Sequence, residues 1–277
     1  MDIKKPGYPR WGWRPLLLAN LAIVAVHLAT RLAAHALSLG ENYVLPLFPP
    51  AGVALALATI GGARVLPGVV AGVALVNLPW YLSNTALTPA MAVLTTAISA
   101  VGAVLQAWLG SRQFRRWLRP AIDSGQDVIA FLVLTPLICL ISPSIGVPAL
   151  HALGAVDDAE PVRSWLGWWA GDTIGVLLAA PLCWIACAEP RRLWRQRATI
   201  VGLPLLLASA AVLTVYRLTV GWEHEQHLQP YRLKAQQTAD MLQAEFNEHV
   251  RFVGTFARTL ADTEHILARD KIGRASC

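Results

Sequence analysis

Long apolar runs separated by short polar breaks fill the first 219 residues, and charged residues become frequent only after them. A helix needs about 17–25 mostly apolar residues to cross the hydrocarbon core of a bilayer. The pattern therefore predicts an all-α fold, a polytopic transmembrane helix bundle of about seven spans, or eight, followed by a long amphipathic helix. The seven runs cover residues 15–37, 44–62, 65–83, 89–109, 127–148, 164–187 and 199–219.

The second and third runs are the least regular part of this pattern. They contain Pro46, Pro49, Pro50 and Pro67, and only a short break at residues 61–64 separates them. Two interpretations stay open: a tight pair of spans, or a re-entrant hairpin. Both return the chain to the side from which it entered.

Composition agrees with a chain that lipid solvates. Hydrophobic residues make up 55% of the sequence and charged residues only 14%, which is too few to cover the surface of a soluble protein of 277 residues. The net charge of +6 raises the possibility of nucleic-acid binding. However, the basic residues stand in short clusters beside apolar runs, and no basic stripe with interleaved aromatic residues appears. We therefore expect the lipid bilayer as a partner and no nucleic acid.

The basic clusters also predict an orientation. Residues 1–14 are basic, and with this segment in the cytoplasm the clusters at 112–119 and 191–197 fall on the same side, together with Arg64. The acidic segment 157–160 falls on the opposite side. Since Lys and Arg are retained in cytoplasmic loops, we expect a cytoplasmic N-terminus, an odd number of spans, and an extracytoplasmic location for everything after about residue 219.

The remaining segment, residues 220–270, is charged, and its apolar residues recur at heptad spacing after Pro230. This spacing predicts a long amphipathic helix. Packing on its own extracytoplasmic domain is favoured over a dimeric coiled coil, because most such stripes pack in this way and His249 interrupts the seam. One apolar face needs a partner, and too little sequence follows to supply a sheet. We expect 220–270 to be the start of an incomplete domain. Residues 271–277 are treated as a separate tail. Two interpretations of it stay open: a native end of this chain, or a foreign segment.

Two charged residues lie deep within predicted spans, Arg31 and Asp172. At about 1.5 Å per residue, both are placed roughly 9–12 Å below the outer boundary, so the two side chains can be neighbours. His27 and His35 share the helix face of Arg31 at i−4 and i+4. Two interpretations stay open: a salt bridge that fixes which helices pack together, or an outward-opening polar pocket in which Arg31 meets an anionic ligand or the histidines titrate.

Small residues near Asp172 permit close helix packing, and prolines in the fifth run support the pocket. Gly167, Gly171 and Gly175 form a stripe that lets backbones approach closely. The fifth run contains prolines at 136, 143 and 148, which predict a kinked or unwound outer half of that span. Irregular backbone at this depth is tolerated only against protein or a water-filled cavity.

Catalytic and metal-binding motifs are absent from the sequence. No HExxH, Gly-x-Ser-x-Gly, P-loop or paired acidic motif is found, so we expect no enzyme activity, no cofactor and no metal in the chain as given. Cys183 and Cys187 lie four residues apart in one span. Small apolar packing residues are the favoured interpretation, over a redox or metal pair.

Two segments carry a resemblance to a known family. The stretches "LFPPAGVALALATIGGARVLPGVVAGVALVNL" (47–78) and "WWAGDTIGVLLAAPL" (168–182) resemble the MASE1 family of bacterial integral-membrane sensory domains, over residues 15–219. The resemblance implies about eight spans and an input role for histidine kinases or cyclic-di-GMP enzymes such as diguanylate cyclases. The tail resembles the opening helix of a CHASE domain. The motif positions are Phe48, Pro49, Pro50, Gly52, Trp169, Gly171, Asp172, Gly175 and Pro181.

These observations and the resemblance together predict a membrane-embedded sensory input module of a bacterial signal-transduction protein, located in the inner membrane and separated from its output domain. We expect an unknown small ligand, a homodimer formed through the full-length protein, and signalling by a shift between two helix packings in which the last span and the helix after it move. The alternative function is a small-solute transporter, or a membrane subunit associated with one. Broken helices and buried charges favour it, whereas no inverted repeat is visible.

Overall fold

The computed structural model describes residues 11–36, 47–83, 87–119, 122, 124–154, 161–188 and 191–274. These residues form helices joined by turns, and no strand occurs among them. A 3₁₀ turn at Gly62–Val65 joins α2 to α3, and a π-helical turn at Ala198–Gly202 joins α8 to α9. The helices are α1 (Trp13–Ala36), α2 (Pro49–Gly61), α3 (Leu66–Ser83), α4 (Pro89–Trp117), α5 (Gly125–Ile138), α6 (Ile141–Ala152), α7 (Pro161–Cys187), α8 (Arg191–Arg197) and α9 (Leu203–Arg274).

Five helical stretches in the described part of the chain are long and apolar enough to cross a membrane. A helical membrane bundle is therefore confirmed, whereas the predicted count of seven spans is not. The apolar helix Ala198–Val212 is shorter than the other five. The five stretches are Trp13–Ala34, Pro49–Ser83, Pro89–Trp117, Gly125–Ala152 and Pro161–Cys187.

Helix α2 lies in the interior of this bundle, packed against α1, α4 and α7. Nine of its 13 residues are buried. At 1.5 Å per residue it is about 20 Å long, less than the roughly 30 Å of a hydrocarbon core. The predicted span 44–62 is therefore, over its described residues, a short central helix. Residues 44–46 lie outside the described part.

The start of α2 shows how a helix begins in an apolar interior. Pro49 and Pro50 occupy its first two positions, where an N–H group would have no partner within the helix, and proline has no N–H. The amide of Phe48 donates to the carbonyl of Gly171 at 3.0 Å, and that of Ala51 donates to Phe48 at 3.2 Å. The Phe-Pro-Pro-Ala sequence thus limits the number of unpaired donors where a helix begins inside the bundle.

The other end of α2 is capped by a side chain from α4. The guanidinium of Arg115 donates to the carbonyls of Thr59 at 2.8 Å, Ala58 at 3.1 Å and Ile60 at 3.3 Å. The last carbonyls of a helix lack partners within it, and a cation there also interacts favourably with the helix dipole. Both ends of the central helix are therefore stabilised by the surrounding bundle.

Helices α2 and α3 run in opposite directions. At the start of α2, the ring of Phe48 contacts His27 of α1, whereas Gly61 at its end lies against Trp11. Helix α3 then follows α1 in the same direction, with Gly68 against Asn20 and Gly72 against His27. The described part of this irregular segment, residues 47–83, is thus a helical hairpin with a short first arm.

The predicted break in the fifth span is confirmed, because α5 ends at Ile138 and α6 begins at Ile141. Pro143 has no N–H to donate to the carbonyl of Cys139, four residues before it. The amide of Ser142 bonds to a side chain instead, donating to Oε1 of Gln106 in α4 at 3.1 Å. The break is thus held by a neighbouring helix.

One end of the bundle is rich in arginine and is called the arginine-rich end below. It contains Arg64 in the turn after α2, Arg115 and Arg119 near the end of α4, and Arg191 after α7. A buried aromatic cluster packs beneath it, in which the rings of Phe114, Phe131, Trp184 and Trp194 contact one another. Arg31 and Trp80 lie toward the opposite end.

The chain divides into two compact units, Met1–Arg217 and Leu218–Cys277. In the second unit the predicted long helix is present, because α9 extends to Arg274. The side chains described between residues 234 and 260 are exposed, including Met241, Leu242, Phe246 and Val253. Residues 275–277 of the predicted tail lie outside the described residues.

Candidate functional site

A cavity of about 350 Å³ lies inside the first unit. Its wall comes from α1, α3, α4, α6 and α7 and from the first turn of α2. The cavity is on the side of α2 that faces away from the arginine-rich end. Six of the polar side chains on its wall are His27, Arg31, Asn77, Ser99, Gln106 and Asp172.

Asp172 is the most deeply buried ionisable residue of the cavity wall, with 2% of its surface exposed. Its Oδ2 accepts a hydrogen bond of 2.7 Å from Nε2 of Gln106. Its Oδ1 is buried and has no hydrogen-bond partner among the described residues. Buried polar atoms are nearly always paired, so this unpartnered oxygen, on a residue of the cavity wall, is an exception.

Gln106 connects three helices behind the cavity. From α4, its Nε2 donates to Asp172 on α7, and its Oε1 accepts from the backbone of Ser142 on α6. The side chain is 4% exposed. Sequence reasoning missed this residue, although one signal was present: Gln106 is an isolated amide within an apolar run, and such intramembrane polar residues are usually functional or bonded to another helix.

His27 lies beside the start of α2. Its Nδ1 is 2.8 Å from the carbonyl oxygen of Ile23. A carbonyl can only accept, so Nδ1 carries a proton in this arrangement, and Nε2 of the neutral ring is an acceptor. The ring packs edge-on against Phe48 at 5.9 Å between centroids, and Gly72 provides the space for it. His27 is thereby fixed on the cavity wall.

Arg31 lies one helical turn beyond His27 and is exposed. Its guanidinium stacks over the ring of Trp80, 4.5 Å from the centroid, in a cation–π contact. The described residues include no ion pair between Arg31 and Asp172, so the salt bridge, one of the two interpretations that the sequence left open, is not observed. Asp172 is bonded to Gln106 instead. Arg31 and Asp172 nevertheless lie on the wall of the same cavity. The side chain of His35 falls outside the described part of the structure.

The motif residues of the two quoted segments meet where α2 crosses α7. A Cβ added to Gly175 would collide with the carbonyl of Phe48, and one added to Gly52 would collide with the carbonyl of Gly175. Gly171 accepts the amide of Phe48, as described above. These residues therefore fix the close crossing beside the cavity.

Two further motif residues, Trp169 and Pro181, are not on the cavity wall. Trp169 donates from Nε1 to the carbonyl of Pro136 at 2.9 Å. This bond joins α7 to α5 one turn before the break between α5 and α6. Pro181 lies within α7.

No group of three or more His, Cys, Asp or Glu residues in the described ranges is arranged to hold a metal ion. Cys183 and Cys187 contact each other on one face of α7, and both pack against apolar clusters. Among the described residues, the cavity wall offers hydrogen-bonding groups, the cationic side chain of Arg31 and the carboxyl group of Asp172.

Comparison with protein-family models gives a match. The MASE1 family model matches residues 17–226, a range that contains the described residues of the cavity wall. No curated protein and no solved structure matches the chain.

Proposed function

Because this chain belongs to the MASE1 family, whose members are membrane-associated sensory domains found in signalling proteins, we propose that it is the sensory input module of a bacterial signal-transduction protein and detects a small solute in the cavity beside Asp172. The output it controls is a histidine kinase or a cyclic-di-GMP enzyme. The full-length protein acts as a homodimer.

The cavity is the observation that carries this proposal. Its volume of about 350 Å³ lies at the lower end of the range for small-molecule sites, about 300–1,000 Å³. Its wall is largely apolar, with polar groups at defined positions, and one of these is a buried carboxyl oxygen without a partner. Such a combination is typical of a site that selects a small polar solute.

The central helix provides a route from this site to the other end of the bundle. Its first turn, with Pro50 and Ala51, and Phe48 just before it are part of the cavity wall, and its last carbonyls are held by Arg115. A solute that favours one position of this turn would shift the balance between two packings of the bundle. We expect the last span and the helix after it to move with that shift.

The distribution of arginine supports a cytoplasmic position for the arginine-rich end. In the inner membrane, the cavity would then open toward the periplasm, and residues after about 219 would be periplasmic, as the start of a CHASE-like domain. The sensory site would thus sample solutes outside the cytoplasm and would relay their presence inward.

The test uses the protein in lipid nanodiscs and a library of small polar metabolites, with thermal unfolding as the readout. At least one compound is expected to raise the Tm by about 2 °C or more, because a ligand that binds only the folded state stabilises it. Ala103→Phe, which fills the cavity from α4, should abolish the shift. Ala97→Phe places the same side chain on an exposed position of α4 and should preserve it. An identical shift in Ala103→Phe would exclude the cavity as the site.

A small-solute transporter is the second candidate, favoured by the broken helix between α5 and α6 beside a buried carboxyl group. Uptake of the stabilising compound into proteoliposomes separates the two functions. Accumulation that Ala103→Phe abolishes would identify a transporter, whereas binding without uptake is expected for a sensor.

A further inference from the structure

We propose that the cavity binds a small zwitterion of the amino-acid class, with its ammonium group toward Asp172 and its carboxylate toward Arg31. This inference rests on the proposed sensory function and specifies its ligand.

The deep part of the cavity offers acceptors. Oδ1 of Asp172 is buried without a partner, and the neutral ring of His27 leaves Nε2 as an acceptor. Gln106 already uses its amide and carbonyl groups to hold Asp172 and the backbone of Ser142. An acceptor left unpaired in an apolar interior is costly, so a ligand donor placed there gains a strong hydrogen bond. An ammonium group also neutralises the carboxylate.

The outer part of the cavity offers a cation. Arg31 lies four residues from His27, about 6 Å farther along the axis of α1. Its guanidinium is exposed and is positioned by the ring of Trp80 rather than by an acidic residue of the described chain. A guanidinium can bind a carboxylate through two parallel hydrogen bonds. The stacked ring limits the freedom of the guanidinium and so reduces the entropy lost on binding.

The two charges at different depths discriminate among ligand classes. A simple amine attracted to Asp172 would leave Arg31 without a partner, and a simple carboxylate attracted to Arg31 would approach the carboxylate of Asp172. A zwitterion satisfies both charges. Apolar and aromatic residues supply the remaining wall, where an amino-acid side chain would lie; they include Phe48, Val73, Val76, Trp80, Tyr81 and Trp168.

The experiment measures binding of each of the standard L-amino acids to the protein in nanodiscs, by calorimetry and thermal unfolding. For each amino acid that binds, the matching amine without the carboxylate and the matching acid without the amine are tested in parallel. We expect at least one amino acid to bind, and both half-ligands to bind at least about tenfold more weakly.

Arg31→Gln and Asp172→Asn should each weaken binding of the zwitterion by about tenfold or more. Arg31→Gln should also remove the preference over the matching amine. Arg112→Gln is the matched control, because Arg112 is also exposed and stacks on a tryptophan, Trp108, but does not line the cavity. It should bind like the wild type. Since Arg31 is exposed, its variant keeps the test informative even where Asp172→Asn lowers folding yield.

The outcomes separate this inference from the sensory proposal. If no amino acid binds, or if either half-ligand binds as tightly as the zwitterion, the ligand class is wrong. A different metabolite whose effect Ala103→Phe removes would then still support a sensory cavity. If neither amino acids nor library metabolites bind, both proposals fail.

Discussion

The amide nitrogen of Gln106 donates a hydrogen bond of 2.7 Å to Oδ2 of Asp172, across 66 residues of sequence. Both side chains are almost fully buried. Because the carbonyl of the same glutamine accepts the Ser142 amide freed at the break between α5 and α6, one side chain joins α4, α6 and α7. Gln106 therefore ties together three of the helices that line the cavity.

Replacing Gln106 with leucine should destabilise the protein by about 2–4 kcal/mol, because a backbone N–H and a carboxyl oxygen both lose their partners in the interior. The measurement is chemical or thermal unfolding in nanodiscs. Gln113→Leu is the control, since Gln113 lies on an exposed position of the same helix. Equal effects of the two substitutions would contradict the bridging role of Gln106.

Double-mutant cycles should distinguish the two possible partners of Asp172. In the ligand-free protein, Gln106→Leu and Asp172→Asn should show a coupling energy above about 1 kcal/mol, since their side chains are directly bonded. The pair Arg31→Gln and Asp172→Asn should be additive within about 0.5 kcal/mol, since no ion pair joins them. Strong coupling in the second cycle would restore the salt bridge that the sequence suggested.

The outcome for Arg31 and Asp172 shows what a sequence determines in a membrane bundle. Residue counting along two predicted spans gives the depth of each side chain, and both do line one cavity. It gives no information on the rotation of a helix about its axis. Rotation decides the contacts, so Trp80 lies beneath Arg31 and Gln106 lies beside Asp172.

The central position of α2 in the bundle could not be predicted from the sequence either. Its segment is apolar on all sides, so hydrophobic periodicity defines no inward face. The prolines of this segment predicted that it would be irregular, and a hairpin was one of the two forms expected for it. That Arg115 would cap α2 follows only from the packing of α4 against it. By contrast, the break between α5 and α6 was predictable, because the missing N–H of proline acts within its own helix.

Pro50→Ala should lower stability by about 2 kcal/mol, because it adds a backbone N–H at the second position of a helix that begins inside the bundle. Pro89→Ala is the matched control. Pro89 begins α4 but is exposed, so a new N–H there has other partners available. Its effect on the free energy of unfolding should stay within about 0.5 kcal/mol. Similar losses in both variants would show that proline acts by stiffening the chain.

Arg115→Met should destabilise the bundle by about 2–4 kcal/mol, because it leaves carbonyls at the end of α2 without a side-chain donor. Arg115→Lys should recover only part of this loss, since an ammonium cannot reproduce the fork of the guanidinium. Arg116→Met, at the exposed neighbouring position, is the control for the loss of one positive charge. Unfolding in nanodiscs measures all three. Full recovery by lysine would mean that charge alone explains the role of Arg115.

Gly175→Ala should be among the most damaging single-methyl additions in the bundle, with a loss of about 3 kcal/mol or more. The added Cβ would overlap the carbonyl of Phe48, a backbone atom at the first turn of α2 that cannot move without separating α2 from α7. Because that turn is part of the cavity wall, solute binding should fall together with stability. Gly125→Ala, at the exposed start of α5 with no atom near its Cβ position, is the control and should leave both unchanged. Wild-type stability in Gly175→Ala would show that the close crossing of α2 and α7 is not required.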